Sequence, residues 1–238
     1  MLLRYLVAEA LKLRRSLVLL LCGAAPACVV AMGVLVALDR KAAVPLGQFW
    51  MSSAAFWAFA MLPLAVTALS VLLAQMEHGP RTWDHLLTLP GARPRLYLAK
   101  ALILMALVAA MSALLGLLIL AAAPVVGAFH AVTGEVDAAR LAGTLARMAA
   151  ASTLVCMLQL WTALHFRSFV PPLVLGIAGT FAALAATGAR QGIYFPWLMA
   201  VHMLAPEPAH QQTALLLGGA GGLAAMAAML VHLHVREA

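Results

Sequence analysis

Charged residues are scarce in this chain. Only 10% of its 238 residues are Asp, Glu, Lys or Arg, whereas 65% are hydrophobic. Soluble domains are about a quarter charged and about half apolar, so this composition excludes a large soluble domain. A bilayer core about 30 Å thick needs roughly 20 apolar residues for each spanning helix. The chain is therefore expected to be an all-α membrane protein.

Acidic side chains are absent from the long apolar runs. All of them lie in connections or tails: Glu9, Asp39, Glu77, Asp84, Glu135, Asp137, Glu207 and Glu237. Carriers driven by protons or sodium usually keep carboxylates inside the membrane, because a buried charge is tolerated only where function requires it. Their absence argues against an ion-coupled secondary carrier, which nevertheless stays open as an alternative.

Motifs for catalysis and cofactor binding are also missing. The chain has no GxxxxGK[ST] sequence, so any site for ATP and Mg²⁺ would have to lie on another polypeptide. Its three cysteines form no CxxC pair, and His232 and His234 lack carboxylate or thiolate support. We predict no catalytic residue, no metal site and no cofactor in this chain.

Six apolar stretches predict six transmembrane helices, at 17–38, 49–75, 97–129, 141–165, 169–187 and 213–232. The first stretch is longer than the 7–15 residues of a cleavable signal peptide, so it is expected to remain as a span. With the N-terminus inside, about twice as many Lys and Arg residues flank the inner ends as the outer ends. This bias predicts a multi-pass protein of the bacterial inner membrane with both termini in the cytoplasm. The net charge of +7 thus indicates orientation in a bilayer, with no nucleic-acid partner.

Residues 1–16 are predicted to form an amphipathic helix at the inner interface. One half of the helical wheel holds Leu2, Leu3, Leu6, Val7, Ala10, Leu11 and Leu13, and the other half is mostly basic and polar. Such a helix lies flat, with its basic face towards anionic headgroups. It could be a simple anchor or could take part in binding a partner.

The connection between spans two and three predicts a short helix outside the membrane. Pro80 suits its first turn, and Pro90-Gly91 would end it. Trp83, Leu86 and Leu87 share one face by their spacing. An exposed apolar face on so short a helix must be buried by a partner or by the headgroup region.

The connection 188–212 between spans five and six is too apolar for a solvated loop and too short to span. We expect a shallow outer-leaflet helix, with Tyr194, Pro196 and Trp197 either gating substrate exit or capping the bundle. Thr153, Gln159 and Thr162 could line a path through span four or could simply pack helices. The GxxxG spacing of Gly218 and Gly222 predicts a close helix contact, within the chain or between two copies.

The motif around the inner connection resembles a known family. Its residues are Glu77, Gly79, Thr82-Trp83, Leu86-Leu87, Leu89-Pro90, Arg93 and Lys100, together with Glu9, Lys12 and Arg15 near the N-terminus. This pattern is similar to the signature of ABC transporter type-2 permeases. Within them it most resembles the small permeases of lantibiotic-immunity and bacitracin-resistance systems.

The resemblance implies a single permease domain over residues 1–238. Its coupling helix, 77–90, would dock in a cytoplasmic ATPase through Glu77, Trp83, Leu86, Leu87 and Pro90. Two such ATPase subunits and a second permease, identical or a sister chain, would complete the transporter. The expected function is export of an amphipathic or hydrophobic substrate such as a peptide, antibiotic or lipid. A non-transporting membrane scaffold or sensor remains a further alternative.

Overall fold

The computed structural model describes residues 2–14, 16–78 and 93–236. The helices are α1 (Leu2–Leu13), α2 (Leu17–Leu38), α3 (Leu46–Phe56), α4 (Leu62–His78), α5 (Arg93–Phe129), α6 (Ala138–Ala151), α7 (Thr153–His165), α8 (Val170–Ala186) and α9 (Pro208–Arg236). Two very short strands, β1 (Val44–Pro45) and β2 (Val132–Thr133), pair in parallel and join the ends of α2 and α5. The chain is thus a helical bundle.

Five helical segments in the described part of the chain are long and apolar enough to cross a bilayer. They are Leu17–Leu38, Leu46–Met76, Pro94–Phe129, Ala138–His165 and Pro208–Val235. Each overlaps one of the predicted spans. The remaining apolar helix, α8, has only 17 residues, fewer than the roughly 20 that a full crossing needs. The predicted all-α membrane architecture agrees with these helices, and the sixth span stays a prediction.

Two of the spanning segments are not regular α-helices. A π-helical turn, Trp57–Met61, joins α3 to α4. Span four breaks at Ser152, which caps both α6 and α7 with a backbone ψ of −4°. Its hydroxyl donates to the carbonyl oxygen of Ala149 at 2.8 Å, so the break is satisfied locally. Such interruptions bend a span without leaving backbone groups unpaired in hydrocarbon.

The glycines of the GxxxG sequence pack inside the chain. A methyl group on Gly218 would overlap the carbonyl oxygen of Ala151, and one on Gly222 would come within 2.6 Å of Thr153 Cγ2. Helix α9 therefore lies directly against the break between α6 and α7. Of the two predicted roles for this spacing, the structure assigns it to packing within the chain.

The outer connection differs in form from the predicted single helix. It consists of three short 3₁₀ turns, Gly192–Tyr194, Pro196–Leu198 and Val201–Leu204. Phe195 and Ala205 have extended backbones, with ψ of 120° and 143°, which interrupt any continuous helix. Pro196 begins the second turn because its fixed φ suits a helix start. The segment from Trp197 to Ala200 is buried, so it packs into the bundle instead of lying on it.

Candidate functional site

A buried ion-pair network lies where α1 meets α4 and α5. Lys100 Nζ donates to Glu9 Oε2 at 2.7 Å and to the carbonyl oxygen of Leu73 at 3.0 Å. Lys12 Nζ donates to the other carboxylate oxygen of Glu9, Oε1, at 2.6 Å. Both oxygens of Glu9 are thus held by ammonium groups, and the ammonium group of Lys100 joins α5 to α1 and α4.

The network is formed by the way α1 packs. Glu9 and Leu13 are buried against the bundle, whereas Leu3, Val7 and Leu11 are 72%, 52% and 57% exposed. The exposed residues form an apolar stripe suited to the lipid headgroup region. The predicted amphipathic helix is therefore present, and its position at the membrane interface stays a prediction. Glu9 was predicted to lie on the polar face towards the headgroups, and this was wrong. Its carboxylate points inwards because Lys100 compensates its charge there.

Burial makes this pair sensitive to the loss of either partner. The side chains of Lys100 and Glu9 are 0% and 2% exposed, and that of Lys12 is 39% exposed. Desolvating two charges is costly, so a buried pair adds little net stability over an apolar contact. Removing one partner takes an ion pair from the buried charge that remains, and breaking a buried pair in this way costs up to about 3–5 kcal/mol.

The network lies beside both ends of the predicted partner-binding connection. Leu73 is near the C-terminal end of α4, and Lys100 is near the N-terminal end of α5. Trp83, Leu86, Leu87 and Pro90 lie outside the described residues, as does the side chain of Glu77. The predicted contacts of these residues with an ATPase therefore stay predictions. The two helices that flank the connection, α4 and α5, are bonded to each other and to α1 through Lys100.

The predicted outer-gate residues occupy different environments. Tyr194 is 64% exposed, whereas Trp197 is 7% exposed and stacks on Phe195 with ring centroids 5.6 Å apart. The indole of Trp197 covers Gly179 of α8, where any Cβ would overlap the ring. Its Nε1 is buried without a hydrogen-bond partner among the described residues. An unsatisfied group of this kind costs about 1–3 kcal/mol.

The outer segment meets the irregular parts of two spans. Pro196 and Trp197 share a small void with Ala58 of the π-helical turn, Leu62 of α4 and Ser152 at the break in span four. The places where the helices depart from regular geometry therefore lie together under the outer connection. Sequence patterns gave no sign of this, because neither break carries a glycine or proline at its centre.

The residues predicted to line a path each bond to nearby backbone. Thr153 and Thr162 donate to the carbonyl oxygens of Ala150 and Leu158 at 2.7 and 2.8 Å. Gln159 is fully buried. Its amide, oriented to suit its neighbours, donates to Pro172 O at 3.1 Å and accepts from Gly176 N at 3.0 Å. It thereby connects α7 to α8, and the structure does not bring these three residues together around one opening.

An apolar cavity of about 760 Å³, open at the surface of the chain, lies between α5 and α6. Small residues line both walls and leave space between the two helices: Ala106, Ala109, Ala113 and Gly116 on α5, and Ala138, Ala142, Ala146 and Ala150 on α6. Ser112 is the one polar residue among the described residues that line it. This cavity was not predicted from the sequence. Its signal was the three- and four-residue spacing of small residues on both helices, which lets backbones stand close or leaves a groove.

The sequence model of the family described as ABC-2 family transporter protein matches residues 5–183, well over half of the chain. The chain belongs to the ABC-2 transporter family. This ABC-2 protein is accordingly a multi-pass membrane permease component of an ABC transporter. Permeases of this family associate with an ABC ATPase, and ATP hydrolysis generally takes place on separate subunits. A search among curated proteins found no match.

The family assignment confirms the resemblance seen in the sequence at the level of the ABC-2 permeases. The closer likeness to lantibiotic-immunity and bacitracin-resistance permeases stays a prediction. The matched region contains the ion-pair network and both walls of the cavity, but it ends within α8. The outer segment of this ABC-2 permease therefore lies beyond the region that the family model describes.

Proposed function

We propose that this ABC-2 permease exports an amphipathic or apolar substrate, such as a peptide, antibiotic or lipid, across a bacterial inner membrane. The observation that carries the proposal is the cavity between α5 and α6, whose walls hold no charged side chain among the described residues. A compact ion would lose its hydration there without compensation, whereas an apolar chain would bury surface favourably. An ion-coupled carrier would need charged or strongly polar groups at this place.

Energy for export would come from a cytoplasmic ATPase that docks on the 77–90 coupling helix. Trp83, Leu86 and Leu87, which the sequence predicts to share one apolar face, would bind the ATPase together with Glu77 and Pro90. Two permeases, identical or sister chains, and two ATPases would form the complete transporter. ATP binding would bring the ATPases together, move the coupling helices and alternate the access of the cavity between the leaflets.

The outer segment would control release of the substrate. Tyr194 is exposed at the surface, and Pro196 and Trp197 contact the irregular parts of spans two and four. Helix breaks are the places where a span can bend. A change in those breaks would therefore move the segment that covers them.

The cavity can be tested by filling it. Ala113 lines the cavity, and Ala110, also on α5, does not. In inverted membrane vesicles that hold the permease and its ATPase, Ala113→Trp is expected to reduce ATP-driven uptake of a fluorescent amphipathic dye. Ala110→Trp, the matched control, is expected to retain it. Equal uptake by both variants would contradict a role of the cavity in substrate binding, and reproducible absence of a co-purifying ATPase would contradict the proposed function itself.

A further inference from the structure

We propose that Glu9 and Lys100 form a latch that makes α1 move together with both ends of the 79–92 connection. Motion of the ATPase would then reach the first span directly. This inference rests on the proposed function, because it needs an ATPase to act on the connection.

The latch joins three elements at one point. Lys100 belongs to α5, which follows the connection, and Leu73 belongs to α4, which precedes it. The Lys100 ammonium bonds to the Leu73 carbonyl oxygen at 3.0 Å and to Glu9 of α1 at 2.7 Å. A displacement of the connection therefore acts on α4 and α5 together, and the carboxylate of Glu9 adds α1 to the same unit.

A short joint passes this motion from α1 to α2. The hydroxyl of Ser16 donates to Leu13 O at 2.9 Å and accepts from Val18 N at 3.3 Å. Ser16 thus caps the end of one helix and the start of the next, which restricts their relative angle. Movement of α1 is therefore expected to tilt or shift α2.

Helix α2 packs mainly on α5 and leaves most of its surface uncovered by the chain. Only 28% of its apolar window is buried inside the chain, compared with 56% for the segment Leu46–Met76. Most of its surface would face lipid, which offers little resistance to a small shift. The first span is accordingly one of the elements best placed to change position when the connection moves.

The chemistry of the latch also favours a positioning role. Apolar residues of similar size would contribute as much net stability, because they avoid the cost of desolvating two charges, but they would not fix the position of α1. An ion pair with fixed hydrogen bonds instead defines the position and register of its partners. The Lys100 ammonium bonds to Glu9 of α1 and to Leu73 of α4, so it specifies where α1 lies along α5 and beside the end of α4.

The test compares single and paired substitutions in the complete complex of permease and ATPase, reconstituted in lipid nanodiscs. The variants are Glu9→Leu, Lys100→Met and the double variant Glu9→Leu/Lys100→Met. Arg4→Met is the matched control. Arg4 is exposed on α1, so this substitution removes one charge without changing Glu9 or Lys100. Three quantities are measured: the melting temperature, the ATPase retained on purification and the stimulation of ATP hydrolysis by the permease.

Each single variant is expected to melt at a lower temperature, because the buried charge that remains loses an ion-pair partner. The double variant should recover the parental melting temperature and retain the ATPase. Its stimulation of ATP hydrolysis should nevertheless fall about fivefold or more, the lower limit of typical coupling between sites. Arg4→Met should match the parent in all three quantities.

A second measurement follows the latch directly. Spin labels at Ala10 of α1 and Leu102 of α5, both exposed, report the distance between these helices. In the parent this distance should stay the same with and without ATP and vanadate, and in the double variant it should change between the two states.

Three results would overturn the latch. The first is a double variant with parental stimulation, and the second is an unchanged label distance in that variant. The third is a double variant that melts as low as the singles, since the pair would then serve folding alone. In each case, co-purification of the ATPase with the parent would show that the latch is wrong while the proposed function is still supported.

Discussion

At Gly218, the space between two helices is smaller than a methyl group. A Cβ at this position would overlap the carbonyl oxygen of Ala151, which is backbone and cannot rotate away. The neighbouring residue Gly219 has no other atom within 4 Å of the place where its Cβ would lie. These two glycines therefore separate the effect of close packing from that of helix propensity.

We predict that Gly218→Ala destabilises the permease by about 1–3 kcal/mol, because overpacking forces α9 away from the break in span four. Gly219→Ala should be neutral or slightly stabilising, since alanine favours the helix. Thermal unfolding of both variants in detergent measures the difference. Equal melting temperatures would show that α9 does not pack on Ala151.

Several residue-scale contacts could not be read from the sequence. Glu9 and Lys100 were both part of the family-like motif, but they are 91 positions apart and nothing in the sequence paired them. The GxxxG spacing predicted a close contact at Gly218 correctly, yet not its partner at the break in span four. Such contacts depend on how helices are arranged in space, and periodicity reports only one helix at a time.

At the scale of elements, the outer segment is the part whose form departs most from expectation. Its apolar composition and length predicted a non-spanning element between α8 and α9. The extended residue Phe195 separates its first two 3₁₀ turns, and the extended residue Ala205 ends the third. Trp197 packs on Gly179, and that contact fixes the segment against α8.

Trp197→Ala is predicted to reduce export strongly while leaving the ATPase bound. Loss of the indole would uncover Gly179 and enlarge the void beside Ser152, which detaches the segment from the helix breaks. Truncation of a buried tryptophan typically costs about 3–5 kcal/mol, so the variant is best assayed at low temperature. ATP-driven transport and co-purification of the ATPase are the two measurements.

Phe129→Ala provides the control for this experiment, because Phe129 is an aromatic residue that is 71% exposed at the end of α5. It should transport as the parent does. If Trp197→Ala instead loses the ATPase, the segment supports assembly and does not act as an outer gate.

The positions of the long helices could be predicted from the sequence alone. Runs of apolar residues predicted the five long segments, because the thickness of a bilayer demands about 20 such residues and few other structures need them. The cavity between α5 and α6 could not be predicted in the same way. Small residues at Ala113 and Ala142 are equally compatible with close contact and with a groove, and only the spacing of the two helices decides.

At the scale of the whole molecule, the asymmetry of Lys and Arg predicts that the inner connection and both termini face the cytoplasm. In a cysteine-free background, single cysteines at positions 85 and 92 should resist an impermeant maleimide added to intact spheroplasts. A cysteine at Lys41, in the exposed turn after α2, should react and serves as the positive control. Labelling of position 85 or 92 from outside would reverse the proposed topology.

The proposed transporter depends on the attachment of an ATPase to the inner connection. The affinity of the permease for the purified ATPase tests this attachment most directly. Burying Trp83 and Leu87 should contribute several kcal/mol at about 25 cal/mol per Å². Truncating a central tryptophan in such a contact often costs ~2 kcal/mol, or about thirtyfold in affinity. Trp83→Ala/Leu87→Ala should therefore insert and fold as the parent does, bind the purified ATPase at least about thirtyfold more weakly and lose transport-linked ATP hydrolysis. Full ATPase binding and full transport by this variant would contradict the account.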